Sequence, residues 1–192
     1  MVKFSQYHKR RLDMKLDFYD NKFSLSEGEV CFEFNSELEP AKKGEAVGFE
    51  ILGKVPTPTL EEGDRILLPM GEGIALTVGE ERLIENAFGD FCSKQGTICM
   101  VIVERGGKYL LISLDNGINS SYDTRPENGK YKLFINNKET CGVTYRIFDS
   151  LKAACAYHRE IHSDVITLDE KIKANPEIEK LAEGKPKLIV LT

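Results

Sequence analysis

The sequence predicts a mainly β protein, an antiparallel β-sandwich with C-terminal helices and a final short strand. Three observations predict it. Before residue 149, short stretches alternate apolar and polar side chains, the pattern of strands with one face buried. Asp, Asn, Gly and Pro separate these stretches at short intervals. From Asp149 the apolar residues recur instead at helical spacing. The expected organisation is a β-sandwich domain over 1–148 and a helical link with one further strand over 149–192.

The strands follow in order. Leu12, Met14, Leu16 and Phe18 alternate with Asp13, Lys15 and Asp17. Asp20-Asn21 turns the chain into Phe23-Ser24-Leu25. Val30, Phe32 and Phe34 form the next alternation, and Val47, Phe49 and Ile51 repeat it. Pro56-Thr57-Pro58-Thr59 reads as a loop, because proline donates no ladder hydrogen bond. Arg65 to Leu68 reads as a strand cut by Pro69 and resumed at Ile74 to Val78. Gly106-Gly107 joins Thr97–Glu104 to Lys108–Leu114, since both glycines accept the positive φ of a tight hairpin. Tyr131–Ile135 and Val143–Phe148 read as a second hairpin around Asn136-Asn137-Lys138-Glu139. Roughly ten strands with short connections fold as a sandwich or barrel.

The helical part carries its own punctuation. Asp149 is a candidate cap for a helix whose Leu151, Ala154, Cys155, His158 and His162 share a face. Thr167 and Glu170 form a capping box, Asn175-Pro176 opens another helix, and Gly184 closes it. Leu188 to Leu191 is a short continuous apolar run, the pattern of a strand buried on both faces. No later stretch offers it partners, so it is expected to begin a further domain.

Composition limits the function classes. The net charge is −5 and the longest basic run is Lys9-Arg10-Arg11, too short for a nucleic-acid footprint. No apolar stretch approaches membrane-spanning length, and the first residues show no signal-peptide pattern. The five cysteines are widely spaced without a C-x-x-C, the usage of reduced cysteine in a cytoplasmic protein. No nucleic acid, membrane, cofactor or metal is expected as a partner.

Candidate site residues are few. His158 and His162 stand at metal-ligand spacing on a helix, but the acid Glu160 is not placed as a zinc-protease pattern needs. A helix edge packed on the sheet explains them. Glu72, between two glycines, is a carboxylate able to reach a ligand or a neighbouring cleft, or simply a solvated turn. The stretch Asp115–Pro126 concentrates amides, hydroxyls and one aromatic, with Asn116, Asn119, Tyr122 and Arg125 as candidate sugar contacts. A long loop using Asn and Gly for its turns explains it equally. No G-x-S-x-G, P-loop or dinucleotide-binding motif occurs, and no catalytic residue is assigned.

Two segments carry a family resemblance. One is Ala156-Tyr157-His158-Arg159-Glu160, followed by Thr167-Leu168-Asp169-Glu170-Lys171, Asn175-Pro176 and Leu181. The other runs from Gly63-Asp64-Arg65 through Pro69-Met70-Gly71-Glu72-Gly73. Together they resemble glycoside hydrolases that carry an N-terminal galactose-mutarotase-like β-supersandwich and helical link ahead of a (β/α)8 barrel. Ala182-Glu183-Gly184 and Ser163-Asp164-Val165 depart from that family's usual link. The resemblance implies a non-catalytic domain that braces the barrel, with Leu188–Leu191 as the first barrel strand and the Glu72 loop at the rim of the sugar cleft. The catalytic carboxylates of such enzymes sit on barrel strand ends, so none is carried over. The alternatives are a stand-alone carbohydrate-binding module and a small sugar epimerase.

Overall fold

The computed structural model describes residues 14–19, 22–34, 39–40, 46–68, 73–85, 100–114, 120–127, 130–160 and 187–191. They form strands β1 (Lys15–Tyr19), β2 (Lys22–Glu27), β3 (Val30–Phe34), β4 (Glu39–Pro40), β5 (Ala46–Lys54), β6 (Arg65–Leu68) and β7 (Ile74–Thr77). There follow β8 (Glu80–Glu85), β9 (Met100–Arg105), β10 (Lys108–Leu114), β11 (Ser120–Glu127), β12 (Lys130–Phe148) and β13 (Lys187–Leu191). A helix, α1, spans 151–160. The chain is mainly β and its sheets are almost wholly antiparallel, as the alternation implied.

A three-stranded sheet, β1-β2-β3, packs on a larger one ordered β4-β13-β5-β12-β10-β9-β6-β7-β8, with β11 alongside β12. Between the two sheets lies the main core, where Phe23, Leu25, Phe32 and Phe34 meet Ile66, Val101, Val103, Leu110, Ile112 and Tyr145. Phe23 and Phe34 stack at 4.2 Å, and the Tyr145 ring meets both edge-on. The buried Tyr145 hydroxyl donates to the Pro56 carbonyl at 2.6 Å, so the largest core side chain also ties down the proline-containing loop.

The opposite face of the larger sheet is covered by α1. Leu67, Ala75, Met100, Ile102 and Leu111 pack there against Ala154 and Cys155. Double coverage explains a feature of the sequence. In β9 and β10 the apolar runs Met100–Val103 and Leu110–Ile112 are continuous because both faces are buried, whereas β3 alternates because only one of its faces is.

Several expectations are corrected. Residues 120–126, read as part of a loop, lie on β11, paired to β12 from Ser120↔Asn137 to Glu127↔Lys130. Asn136–Glu139, read as a turn, lies inside the 19-residue β12, which absorbs an irregularity against β5 between Asn137 and Cys141. The pairing of β11 with β12 instead runs down to Glu127↔Lys130, and the sequence between those two residues, Asn128-Gly129, is a dipeptide strongly suited to two-residue hairpins. Pairing of β10 with β12 ends at Leu114↔Val143, and continuing it without a shift leads to Ser120↔Asn137. Strands β10 and β11 are thus successive segments along one side of a single long partner. The segment after Pro69 does not resume β6: β7 turns back antiparallel to it.

The Gly106-Gly107 hairpin forms as read, with φ of 54° and 74°. A side chain at Gly106 would also strike Val30, with a Cβ only 2.9 Å from the Val30 Cγ2. The helix begins one residue later than expected. The Ser150 Oγ accepts from the Ala153 amide at 3.1 Å, while Asp149 is taken by Lys108. Strand β13 pairs with β5 on one side and β4 on the other, so both its edges are occupied within this chain. Of the cysteines, Cys155 is buried as expected and Cys31 is exposed. The helices expected after α1 lie outside the described residues. No helix among the described residues is long and apolar enough to cross a membrane.

Candidate functional site

Of the residues singled out as sugar contacts, Glu72, Asn116 and Asn119 lie outside the described residues. Tyr122 and Arg125 lie on β11, opposite Ile135 and Lys132 respectively. Positions three apart on a strand belong to opposite faces of the sheet, so the backbone does not bring these two together. His158 lies on the inner face of α1 as expected, and His162 is outside the described residues. Among the described residues no group of three or more His, Cys, Asp or Glu is placed to hold a metal ion.

The structure assembles its polar groups elsewhere. The densest assembly surrounds Arg105, at the end of β9. Asp64, 2% exposed, receives a two-pronged pair from Arg105, Nε to Oδ1 at 2.9 Å and Nη2 to Oδ2 at 2.6 Å. The same guanidinium donates to the carbonyls of Cys31 at 2.5 Å and Thr59 at 2.9 Å, and pairs with Glu61 at 3.0 Å. It also lies over the Phe32 ring at 4.8 Å. Asp64 Oδ2 accepts the Glu61 amide at 2.9 Å, closing the turn that leads into β6. One cation therefore joins β3, the 55–64 connection and the β9–β10 hairpin. Burial works against the charge on Arg105, but the hydrogen bonds and charge of Asp64 outweigh it and hold the pKa above its ordinary value.

Lys108, across the same hairpin, bridges Glu27 at the end of β2 and Asp149 just before α1. One Glu27 oxygen is buried and makes no hydrogen bond, so Lys108 satisfies only the other oxygen of this carboxylate. The hydrogen bond to Asp149 raises the Lys108 pKa, against a smaller opposing effect of burial. On the outer face, Arg65 pairs with Glu104, and the Tyr109 hydroxyl meets Glu104 at 3.4 Å. Burial is the main reason the Tyr109 pKa is raised, with the Glu104 charge adding to it.

The Lys108 and Tyr109 shifts give an alkaline prediction. A group with a raised folded-state pKa contributes stability that is complete below its unfolded pKa and is lost as pH rises through the folded value. Stability should therefore hold to about pH 10 and then fall. Urea midpoints at pH 8 and pH 11 check this, with Tyr109→Phe and Lys108→Met expected to flatten the decline.

Under α1, Ser113 Oγ and His158 Nδ1 are 2.7 Å apart. Ser113 is 1% exposed and His158 7%. A serine–histidine contact is the first half of a nucleophilic dyad, but this one is closed over by the helix and the sheet. Its evident work is to pin α1 to β10. Ser113→Ala should cost about 1–3 kcal/mol by leaving the imidazole nitrogen without that partner. The double change Ser113→Ala with His158→Leu should cost less than the sum of the singles, because apolar groups then meet. Denaturant midpoints of the three variants decide it.

Sequence reasoning missed Arg105, Asp64, Lys108 and Ser113. Arg105 had one signal, a charge following an apolar run and Glu104 immediately before a glycine pair. Ser113 had another, the single hydroxyl in a strand otherwise apolar from Leu110 to Leu114. Comparison with protein-family models, curated proteins and solved structures finds no match.

Proposed function

We propose that this chain is a non-catalytic β-sandwich scaffold of a carbohydrate-active enzyme, bracing a (β/α)8 barrel and holding α1 in a fixed orientation towards it. One observation supports the scaffold reading. Three pairs of buried or partly buried polar groups each tie one element to another: Asp64 to Arg105 between a loop and a hairpin, Glu27 to Lys108 between the two sheets, Ser113 to His158 between sheet and helix. Groups held in this way fix the geometry of the elements they join. The carbohydrate part of the reading rests on the two resembling segments, which include the turn at Asp64 and the inner face of α1. In this reading the Glu72 loop contributes to the rim of the sugar cleft, and the chemistry belongs to the barrel.

Two experiments test the reading. Blotting with an antibody to this chain measures the native polypeptide in its source cells. A product well above 21.6 kDa carrying glycosidase activity is expected, and a product of that mass with no barrel partner overturns the bracing role. The chain itself should neither hydrolyse glycosides nor interconvert anomers. Either activity in the purified chain overturns the non-catalytic assignment. Calorimetric heats with a neutral sugar and the chain alone would replace the bracing role with a stand-alone binding module.

A further inference from the structure

We infer that Arg146 is the receptor of an oxyanion site, for a carboxylate or phosphate group, on the outer face of the larger sheet beside α1. Arg146 lies on β12 directly opposite Leu111 of β10, on the face that α1 covers. Its guanidinium carbon is 4.7 Å from the ring centroid of Tyr157 on α1 and 5.5 Å from that of Phe148. The two rings are 5.3 Å apart and tilted. Rings against a guanidinium fix its plane and strip water from it, which leaves its edge for in-plane donation.

Two observations set this cation apart. Its Nε is buried and makes no hydrogen bond. Among the partly buried cations of the described residues, Arg65 has Glu104, Arg105 has Asp64 and Glu61, and Lys108 has Glu27 and Asp149, whereas no described carboxylate pairs with Arg146. A partly desolvated charge without a counter-ion is unfavourable. The two rings offset part of that penalty, and an anion on the Nη edge supplies the missing counter-charge, while the buried Nε keeps no partner. A planar oxyanion matches that edge with two parallel hydrogen bonds. Next along the same face, Thr144 stands opposite Gly48 of β5, a register position that carries no side chain.

Thermal unfolding of the full chain in acetate, phosphate and chloride at matched ionic strength tests the site. Acetate or phosphate should raise the melting temperature of the wild type in a saturating manner beyond chloride. The anion with the lower half-saturation identifies the chemistry as carboxylate or phosphate. Arg146→Met keeps an apolar stem between the rings, so its melting temperature in chloride should not fall, and its anion-specific rise should vanish. Arg146→Lys should bind about tenfold more weakly, lacking the planar fork. Calorimetric titration of the wild type decides the matter if Arg146→Met fails to fold. No anion-specific stabilisation of the wild type, or an equal one in a folded Arg146→Met, overturns the site.

Discussion

Arg105→Ala should destabilise the chain by about 3–5 kcal/mol, the effect of removing one partner from a buried ion pair. The size follows from what is left behind. Asp64 would keep its carboxylate in a nearly closed site with only the Glu61 amide still donating to it. The carbonyls of Cys31 and Thr59 would lose their donor together, and the Phe32 face would lose its cation. The Arg105 side chain is itself only 12% exposed, so water replaces these contacts poorly. Arg105→Lys preserves charge but not the two-pronged geometry, and its loss should be intermediate. A double-mutant cycle with Asp64→Ala separates the two contributions. Coupling of more than about 1 kcal/mol is expected for groups in one network, and near-additive losses would show that the node is not cooperative.

Phe34→Ala should cost a further large amount, about 3–5 kcal/mol. Phe34 is fully buried, stacked on Phe23 and met edge-on by Tyr145 at 5.2 Å. Its backbone bridges Pro58, so its position is fixed from both directions. The surrounding rings are rigid and cannot collapse into the space, which places the expected cost high in the range for such truncations. Since domains are stable by only about 5–15 kcal/mol, either substitution removes a large share of the total. Phe34→Leu retains much of the volume and should be tolerated with a smaller loss. Denaturant midpoints and the soluble yield check both variants, and a loss below about 1 kcal/mol for Phe34→Ala would mean that the three-stranded sheet contributes little to the fold.

How much of this was legible depends on which interactions decide each element. Strand β3 was readable because Phe32 and Phe34 face one core while Cys31 and Glu33 face out. The β9–β10 hairpin was readable because its two glycines meet a local requirement for positive φ. Strand β11 was not, since Ser120 to Glu127 is rich in loop-forming residues and becomes a strand through β12, its partner in the sheet. The same long-range pairing carries β12 straight through Asn136-Asn137, where composition indicates a turn. Asn128-Gly129 carries a hairpin signal that the sequence reading did not use. At α1 the helix start was legible to within a residue. The choice of Ser150 over Asp149 as cap depends on Lys108 drawing the aspartate away, a contact between positions far apart in sequence. Likewise, spacing placed His158 on the buried face of α1, but its partner Ser113 emerges only when β10 is laid under the helix.

The central claim is that α1 belongs to the same cooperative unit as the sandwich, since a brace must hold its orientation. Hydrogen exchange of the intact chain, followed by mass spectrometry, measures this directly. Amides of 154–160 should exchange as slowly as those of β9 and β10, and Ser113→Ala should speed the helix more than the strands. If α1 exchanges orders of magnitude faster than β10 in the wild type, the helix opens on its own and the account of a fixed scaffold is contradicted.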